Sequence, residues 1–331
     1  MSLLFLISQP RAGSTLLQKI LGNHSEIYSP SEPWLMLPPM YSLKPKNCSA
    51  EYDTNLCYKG IKSFLDNLPA GEQEYFKGLS HMYSYLYNQA LLGTGKSHFL
   101  DKTPRYYHII PEIAKTFPNA KFIILFRNPL AVLCSIIRAW IRQRWFRLIY
   151  YRHDLIKAPF KLREAISLLE SRCLVVKYED LLLNPEIEIQ NILQWLDLSF
   201  EKNILNYNSG TGKSNNMGDH TGLINKGKLE SQNLDKWVDD LNNPQIWKLA
   251  RDYLKYLDRD IVEAMGYNFD KLNNWLDNYC PSKINLWRRF SLFYLLNDPN
   301  DLHRILYGCK YESMLQANKL KNGIKISLNL N

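Results

Sequence analysis

A run of apolar residues that leads directly into a short glycine-containing turn is the feature that most constrains this chain. The run covers Leu3–Ser8, the turn has the sequence QPRAGST, and a helical pattern follows from about Thr15 to Leu21. An apolar run of this length bounded by turn residues is typical of a buried strand. A strand, a turn and a helix in that order form the building unit of parallel sheets, so the segment predicts the first strand of an α/β fold.

The remainder of the chain repeats this alternation. We predict strands at Phe99–Asp101, Lys121–Phe126 and Leu174–Lys177, and helices at Pro129–Arg142, Asn184–Leu196 and Gln245–Met265. Such alternation favours a single domain with a mostly parallel central sheet flanked by helices. The 331 residues, 46% of them hydrophobic and 22% charged, are enough to bury one large core and exclude a disordered or fibrous chain.

Three segments fall outside this alternation. Residues 28–95 lack strong strand signals, and an insertion of this length in an α/β protein usually forms a lid or a wall of the binding site. Residues 206–227 are rich in Gly, Asn, Ser and Thr and predict a flexible loop. Residues 268–331 are rich in aromatic side chains and predict a helical extension at the C-terminus.

The cysteines and the N-terminal sequence bear on the expected location. The N-terminal MSLLFLIS is too short to span a membrane and lacks the basic flank of a signal peptide. The six cysteines form no CxxC pair, which indicates reduced thiols and neither zinc ligands nor a disulfide framework. They are Cys48, Cys57, Cys134, Cys173, Cys280 and Cys309. We therefore expect a cytoplasmic protein.

The net charge of +9 favours an anionic ligand, a nucleic acid or a membrane surface, without choosing among them. The segment Arg138–Arg152 interleaves arginines with aromatic residues and is a candidate surface for nucleic acid or for an anionic membrane. The alternative, which we favour, is a helical segment whose aromatic rings pack inward while the arginine stems lie along the surface. Nucleic acid is not expected as a partner, and a peripheral membrane contact through this segment stays open.

The turn after the first strand is a candidate site for an anion. Backbone N–H groups at the start of a helix have no partner within the helix, and the helix dipole adds positive potential there. Arg11 adds a permanent charge, Ala12 and Gly13 bring the backbone close, and Ser14 and Thr15 add hydroxyl donors. A simple strand, turn and capped helix is the equally open alternative for this segment taken alone.

A second candidate anion site follows the strand at Lys121–Phe126. Arg127 stands at the carboxyl end of that strand, and Ser135 lies eight residues later within a helical pattern. Ligands collect at the carboxyl ends of strands in open α/β sheets, where an arginine is able to hold a phosphate with two hydrogen bonds. A structural salt bridge is the alternative role for Arg127.

Two other segments imitate a phosphate-binding loop. Residues 90–97, ALLGTGKS, follow a helical pattern and precede a strand, whereas a working loop needs a strand before it and a helix after it. Residues 209–214, SGTGKS, lie in the polar loop without a preceding strand. Neither segment is expected to bind a nucleotide.

The two candidate anion sites together carry a family resemblance. PRAGSTLL resembles the loop of sulfotransferases that binds the 5′-phosphosulfate of the nucleotide donor PAPS, and RNPLAVLCS resembles the element that binds its 3′-phosphate. The similarity points to the bacterial branch that resembles protein-tyrosine sulfotransferases. It covers residues 1–267, which defines the predicted domain, with 28–95 as its acceptor-side insertion and 268–331 as an extension of unknown role. The resemblance implies a P-loop-like nucleotide site, with PAPS as donor and PAP as product.

The resemblance also implies roles for individual residues. Glu32 in SPSEPW matches the acidic base that removes the acceptor proton, and Lys102 in DKTPRY matches the lysine at the transferring group. Tyr178 in VVKYED matches a position near the nucleotide. In HTGLINKGK, the family's loop over PAPS implies a hydroxyl donor and a phosphate contact, namely Thr221 with Lys226 or Lys228, in a register uncertain by one residue.

The mechanism that follows needs no metal. Glu32 deprotonates an acceptor hydroxyl, which is a weak nucleophile until then. Lys102 and Arg11 stabilise the charge that develops on the leaving nucleotide, as fixed cations do in phosphoryl transfer. No metal-ligand spacing is evident in the sequence. His98 and His108 are rival bases, and His24 is expected to be structural.

Each of these residues has a structural alternative. The alternatives are a capping or solvent-facing carboxylate for Glu32, an ion pair with the adjacent Asp101 for Lys102, and simple core packing for Tyr178. The rival function is a P-loop NTPase or small-molecule kinase, but the turn at Arg11–Thr15 lacks the lysine that such a loop requires. The acceptor is a hydroxyl of a carbohydrate or small molecule by preference, with a peptide tyrosine as the alternative.

Overall fold

A computed structural model describes residues 1–44, 50–142, 144–206 and 234–279. In these ranges one five-stranded sheet has the order β2-β3-β1-β4-β5, with every neighbouring pair parallel. The strands are β1 (Ser2–Ser8), β2 (Ile27–Tyr28), β3 (His98–Lys102), β4 (Lys121–Phe126) and β5 (Cys173–Lys177). The predicted α/β class with a mostly parallel sheet is confirmed.

The strand β1 occupies the centre of the sheet and explains the apolar run at the start of the sequence. It pairs with β3 on one side, where Leu6 lies opposite Lys102, and with β4 on the other, where Ser8 lies opposite Leu125. Successive side chains of a strand point to opposite faces. Because helices cover both faces, both sets of β1 side chains are buried, and no polar alternation appears in the sequence.

Helices surround the sheet in the described part of the chain. They are α1 (Ser14–Gly22), α2 (Leu37–Tyr41), α3 (Thr54–Asp66), α4 (Glu72–Leu91), α5 (Ile110–Thr116), α6 (Pro129–Ile136), α7 (Leu148–Ile156), α8 (Ala158–Leu169), α9 (Tyr178–Leu183), α10 (Pro185–Trp195), α11 (Lys236–Asp240), α12 (Pro244–Ala264) and α13 (Phe269–Asn278). The region 28–95 supplies α2, α3 and α4, which agrees with the expected helical insertion.

The helix predicted at Pro129–Arg142 is not uniform. Its first part is α6, and the chain then widens into a π-type turn at Ile137–Ile141 that ends at Arg142 with a left-handed φ of 46°. Single π turns inside helices are uncommon and occur often near functional sites. The periodicity of the sequence could not show this change, because Ile137 and Ile141 are buried in either geometry.

The strands β2 and β3 also differ from the prediction. The two-residue strand β2 was missed because so short an element carries no periodic signal. The strand β3 runs one residue further than predicted at each end, so that Lys102 is its last residue. Lys102 is therefore held by the sheet and fully buried, at 0% exposure.

The start of the C-terminal extension packs against the domain. The side chain of Leu276 in α13 is buried, and the indole N–H of Trp247 in α12 donates to its carbonyl oxygen at 3.0 Å. The rings of Trp237 and Trp275 lie 5.0 Å apart, which joins α11 to the same cluster. The boundary at residue 267 and the role of the extension stay predictions.

A buried carboxylate ties the insertion to the sheet. The hydroxyl groups of Tyr87 and Tyr106 donate to Oδ2 of Asp101 at 2.8 and 3.1 Å, and Thr103 donates to Oδ1 at 3.4 Å. The Tyr106 hydroxyl also accepts the N–H of Met36 at 3.1 Å. Burial raises the pKa of Asp101 to about 7, although the three donors and the nearby Lys102 act in the opposite direction.

This raised pKa predicts a pH-dependent stability that Asp101→Asn should remove. Since the folded pKa lies above the usual value of 3.8, the contribution of Asp101 is fully present below pH 4 and is lost as the pH rises through about 7. Relative to Asp101→Asn, the wild type should lose a few kcal/mol of unfolding free energy across that window, on the order of 1.4 per pH unit. Urea denaturation of both proteins at several pH values measures the difference, and parallel curves would contradict it.

No helix in the described ranges has the length and apolar character needed to cross a membrane.

Candidate active site

The predicted site residues follow the carboxyl ends of adjacent strands. In the sheet, β1 lies between β3, which ends at Lys102, and β4, which is followed by Arg127. The turn after β1 therefore lies between these two ends. Such a switch point at the carboxyl edge of a parallel sheet is where α/β proteins bind ligands.

The turn after β1 has the geometry of an anion-binding loop. Arg11 has a positive φ of 71°, and Gly13 has a φ of 99° at the position preceding α1. The N–H of Ala12 donates back to the carbonyl of Gln9 at 3.2 Å, which closes the turn. The N–H of Leu16 donates to the carbonyl of Gly13 at 3.0 Å. The preceding N–H groups of Ser14 and Thr15 have no carbonyl partner within the helix, so they are available to an anion at this edge.

A close approach between two elements requires the glycine. A Cβ atom added to Gly13 would lie 2.3 Å from ring carbons of Tyr178, which no side chain could tolerate without a rearrangement. Tyr178 is itself buried, so it does pack in the core, as the structural alternative held. Its ring also lies against Gly13 of the anion loop. Packing in the core and a position near the nucleotide are therefore compatible roles for Tyr178.

Arg127 joins the loop from the other side. Its Nη1 donates to the carbonyl oxygen of Arg11 at 3.1 Å, and its guanidinium carbon lies 4.5 Å from the centroid of the Tyr178 ring. Its Nε is buried and has no hydrogen-bond partner in the described structure. A buried donor without an acceptor is costly, and a phosphate oxygen beside Arg127 would satisfy it. No salt bridge holds Arg127 among the described residues, so the structural alternative for it is not supported.

The two predicted anion motifs meet at Ser135. The Nε of Arg11 donates to Oγ of Ser135 at 3.2 Å, although 124 residues separate them. The guanidinium of Arg11 also lies 5.7 Å from the ring of Trp140, which the π turn carries and which stacks on Tyr151 at 4.7 Å. Arg11 thus belongs to both motifs, whereas the sequence assigned it to the first alone.

Glu32 and Lys102 form an ion pair with each other. The Nζ of Lys102 lies 2.6 Å from Oε1 of Glu32 and also donates to Oγ1 of Thr15 at 3.3 Å. Lys102 is fully buried, and the side chain of Glu32 is 14% exposed. Neither structural alternative for this pair holds, because Asp101 is engaged by hydroxyl groups and Glu32 caps no helix described here. Lys102 therefore connects the carboxylate to the anion loop.

Trp34 is a residue of this site that the sequence did not indicate. Its indole Nε1 donates to Oε2 of Glu32 at 3.3 Å, and its backbone N–H donates to Oγ1 of Thr103 at 3.3 Å. Its φ is 56°, a left-handed conformation rare for a bulky side chain. The short interval between Glu32 and Trp34 could have suggested a contact, but only for a backbone of this unusual shape.

A second missed cluster lies beside Trp34. Arg105 is held by the carboxylate of Asp154 through two hydrogen bonds of 3.2 and 2.9 Å, and its guanidinium lies 6.0 Å from the Trp34 ring. The hydroxyl of Tyr107 donates to the same carboxylate at 2.7 Å. Asp154 is 2% exposed and accepts, through its carbonyl, the side-chain amide of Gln9 at 2.9 Å. The cluster therefore ties α7 to the end of β1.

The turn after β4 has a carboxylate support of its own. Oε1 of Glu179 accepts the N–H of Asn128 at 3.1 Å, and its other oxygen accepts the hydroxyl of Tyr267. Burial raises the pKa of Tyr267, and the adjacent Glu179 acts in the same direction. Since Asn128 follows Arg127, this contact fixes the backbone that presents the guanidinium.

The two histidines considered as rival bases, His98 and His108, are poorly suited to that role. His98 is the first residue of β3, and four residues of strand place it roughly 13 Å from Lys102 at the other end. Burial, with help from His153 and nearby lysines, lowers the pKa of His108 to about 3, so this imidazole binds a proton poorly at neutral pH. His24 accepts the N–H of Glu26 at 3.1 Å and contacts the carbonyl of Ser199 at 2.9 Å, which agrees with a structural role.

Some predicted features fall elsewhere or lie outside the described residues. Thr221, Lys226 and Lys228 are outside the described ranges, as is the SGTGKS segment. The ALLGTGKS segment connects α4 to β3, so its order of elements is the reverse of a phosphate-binding loop. Among the residues described, no group of three or more His, Cys, Asp or Glu side chains is arranged to hold a metal.

The basic segment Arg138–Arg152 divides between two environments. Arg138 pairs with Asp240 of α11, and Trp140 and Tyr151 stack on each other beside Arg11. The rings of Phe146 and Tyr150 are instead exposed, at 53% and 58%. The inward packing expected for the aromatic residues therefore holds for part of the segment only.

Comparison with known proteins agrees with this geometry. The sequence model described as "Sulfotransferase family" matches residues 4–202, well over half of the chain. The nodulation protein NoeE of Sinorhizobium fredii is 31% identical over 137 residues, which cover 41% of this chain and 31% of that protein. Protein-tyrosine sulfotransferase A of Caenorhabditis elegans is 25% identical over 222 residues, covering 63% of this chain and 53% of that one.

The chain thus spans about a third and about half of the lengths of these two relatives. Among solved structures, the sulfotransferase domain from the curacin biosynthetic pathway aligns with a TM-score of 0.49 at 22% identity. That alignment covers 72% of this chain and 90% of that one.

Proposed function

The chain belongs to the sulfotransferase family, and on that premise we propose that it transfers a sulfuryl group from PAPS to an acceptor hydroxyl. The observation that carries the proposal is the buried Nε of Arg127 beside the anion loop, which has no hydrogen-bond partner among the described residues. Ser135 and Arg11 meet at the same place. Two cationic side chains, a hydroxyl and a helix start are suited to a nucleotide with several anionic groups.

The donor is assigned to two subsites. Arg127 and Ser135 are proposed to bind the 3′-phosphate, with Tyr178 supporting the guanidinium. The loop Arg11–Thr15 is proposed to bind the 5′ end through backbone N–H groups, helped by the loop hydroxyls. Thr221 is proposed as a further hydroxyl donor to the nucleotide, with either Lys226 or Lys228 as a phosphate contact. PAPS would supply an activated sulfuryl group, and these residues would bind and orient it.

The chemistry of transfer is assigned to the ion pair. Glu32 would accept the proton of the acceptor hydroxyl, so that this oxygen forms the new bond to sulfur while the bond to the nucleotide oxygen breaks. Lys102 and Arg11 would stabilise the negative charge left on the nucleotide. Because Lys102 contacts both Glu32 and Thr15, it is positioned to serve the base and the departing group. The steps assigned to these residues require no metal.

The acceptor side is assigned to the insertion at 28–95, whose segment near Trp34 surrounds Glu32. We favour a hydroxyl of a carbohydrate or small molecule, with a peptide tyrosine as the alternative that one relative's name suggests. A cytoplasmic location is proposed on the scattered cysteines, of which Cys57, Cys134 and Cys173 are free thiols. The exposed rings of Phe146 and Tyr150 leave a peripheral membrane contact as part of the proposal.

Arg127→Ala is expected to weaken PAP binding by roughly 10- to 100-fold, because a charge-assisted hydrogen bond contributes about 1.5–3 kcal/mol. Calorimetric titration with PAP, PAPS and APS measures it, and APS should bind far more weakly since it lacks the 3′-phosphate. Arg172→Ala is the matched control. Arg172 also donates to backbone carbonyls and faces an aromatic ring, but it precedes β5 at the opposite edge of the sheet.

Several results would overturn the donor assignment. Equal binding of APS and PAPS to the wild type would exclude a 3′-phosphate site at Arg127. Stabilisation by ATP with magnesium, and not by PAP, would favour the kinase alternative. Transfer itself is measured with radiolabelled PAPS and a panel of phenols, simple glycosides and tyrosine peptides. The best member of that panel then serves as the assay acceptor, and transfer to none of them would count against the proposed function.

A further inference from the structure

We propose that Trp34 is a positioning residue, whose indole N–H orients the carboxylate of Glu32 for proton transfer. The inference rests on the proposed function, in which Glu32 is the base. Each carboxylate oxygen of Glu32 has one donor: Oε1 accepts from Lys102 at 2.6 Å, and Oε2 accepts from Trp34 at 3.3 Å. Two donors on different oxygens fix the plane of a carboxylate, whereas one donor leaves it free to rotate.

The two hydrogen-bond donors to Glu32 have different roles in the proposed reaction. Lys102 is shared with Thr15 of the anion loop, so its contact with Glu32 changes whenever an anion in the loop attracts the ammonium group. Within the described part of the chain, the indole N–H of Trp34 donates to Glu32 and to no group of the anion loop. Trp34 therefore holds the carboxylate in place at the moment when Lys102 is drawn to the donor.

The backbone of Trp34 is shaped for this contact. A φ of 56° is strained for a tryptophan, and such strain persists only where the surroundings hold it. The N–H of Trp34 is bound by Thr103, whose hydroxyl is in turn bound to buried Asp101. With this left-handed backbone, the indole N–H lies toward Glu32, two positions earlier in the chain.

The ring of Trp34 is held from its other side. The guanidinium of Arg105 lies 6.0 Å from the ring centroid, close enough for a cation–π attraction. Arg105 is fixed in turn by two hydrogen bonds to Asp154, a carboxylate that is 2% exposed. The indole is thus fixed by its backbone, by its N–H and by a cation on its face, which is the arrangement expected for a group that orients a reactive one.

The test is a double-mutant cycle between Trp34→Phe and Glu32→Gln, assayed with radiolabelled PAPS and the acceptor selected above. Trp34→Phe keeps an aromatic ring and removes the N–H, so kcat should fall about 5- to 30-fold while the Kd for PAP changes less than about twofold. In the Glu32→Gln background the same substitution should change kcat less than about twofold, because there is no longer a base to orient.

Trp247→Phe is the matched control, since the indole N–H of this α12 residue also donates a hydrogen bond, to the carbonyl of Leu276. It should lower the melting temperature and leave kcat within about twofold of the wild type. If Trp34→Phe fails to fold, Trp34→Tyr retains more of the side-chain volume and also lacks the indole N–H. PAP binding reports folding of either variant.

The outcomes separate the two proposals. A kcat for Trp34→Phe within twofold of the wild type, alongside an inactive Glu32→Gln, would overturn the role of Trp34 and leave the base intact. An equal loss from Trp34→Phe in both backgrounds would show that Trp34 does not act through Glu32. Full activity of Glu32→Gln would instead overturn the assignment of the base, and the role of Trp34 with it.

Discussion

Lys102→Ala is expected to lower turnover by about 10²–10³-fold, in line with the loss of one preorganised donor at a developing charge. The ammonium group contacts both the carboxylate of Glu32 and the hydroxyl of Thr15, so it acts mainly as charge builds on the leaving nucleotide. PAP affinity should fall much less than turnover, because an interaction specific to the transition state contributes little to ground-state binding.

The same substitution has a cost in stability that must be measured separately. Lys102 is fully buried and Glu32 is 14% exposed, and breaking a buried ion pair by removing one partner costs about 3–5 kcal/mol. Since Glu32 keeps some contact with solvent, we expect the lower end of that range. Melting temperature, PAP affinity and turnover on one preparation separate the effects, and Lys102→Met preserves the stem if the alanine variant unfolds.

Lys121→Ala is the control for the first prediction. The ammonium group of Lys121 donates to the backbone carbonyl oxygen of Trp195 at 2.7 Å and lies over the indole ring of the same residue. It begins β4 at the edge of the sheet opposite the candidate site. Turnover of this variant should match the wild type. A folded Lys102→Ala variant with near-normal turnover would reject the catalytic role of Lys102.

Glu32→Gln should lower turnover by roughly 10²–10⁴-fold while PAP affinity holds, because the amide keeps the shape of the side chain and cannot accept the acceptor proton. A glutamine keeps one oxygen that can accept from Lys102, but its NH2 group then faces the indole N–H of Trp34, and the buried ammonium loses its counter-charge. Some loss of stability is therefore expected along with the loss of rate.

Glu112→Gln provides the comparison for Glu32→Gln. Glu112 is a carboxylate paired with one lysine, Lys44, and it is 18% exposed, similar to Glu32. Since its exposure resembles that of Glu32, it should also lose some stability, but it should keep full turnover. If Glu32→Gln is as active as Glu112→Gln, proton removal must occur without Glu32, either by the acceptor's own ionisation or through another group.

The sequence signals that predict the donor side are local. The buried strand, the turn at Gly13 and the arginine at the end of β4 are each readable in a few adjacent residues. The parallel order of strands then brings Arg11 to Ser135 across 124 residues, which follows from topology once the strands are recognised. The two-residue β2 and the π turn were missed because neither has a period of its own.

The contacts on the acceptor side were harder to predict from the sequence. Glu32 and Lys102 were identified separately by resemblance, and an ion pair with the adjacent Asp101 was the structural alternative for Lys102. The strand geometry decides otherwise, because successive residues of β3 point to opposite faces of the sheet. Asp101 consequently faces the hydroxyl groups of Tyr87 and Tyr106.

The sequence by itself therefore determined the fold class, the anion loop and the identity of the cations that line it, because periodicity and turn chemistry act over short distances. Only the tertiary structure decided that Glu32 and Lys102, 70 residues apart, form a hydrogen-bonded ion pair. It also decided that Trp34 orients toward Glu32, through a left-handed backbone that sequence patterns do not predict. The physical reason is that such contacts depend on which strand ends meet at one edge of the sheet, and packing of the whole domain fixes that arrangement.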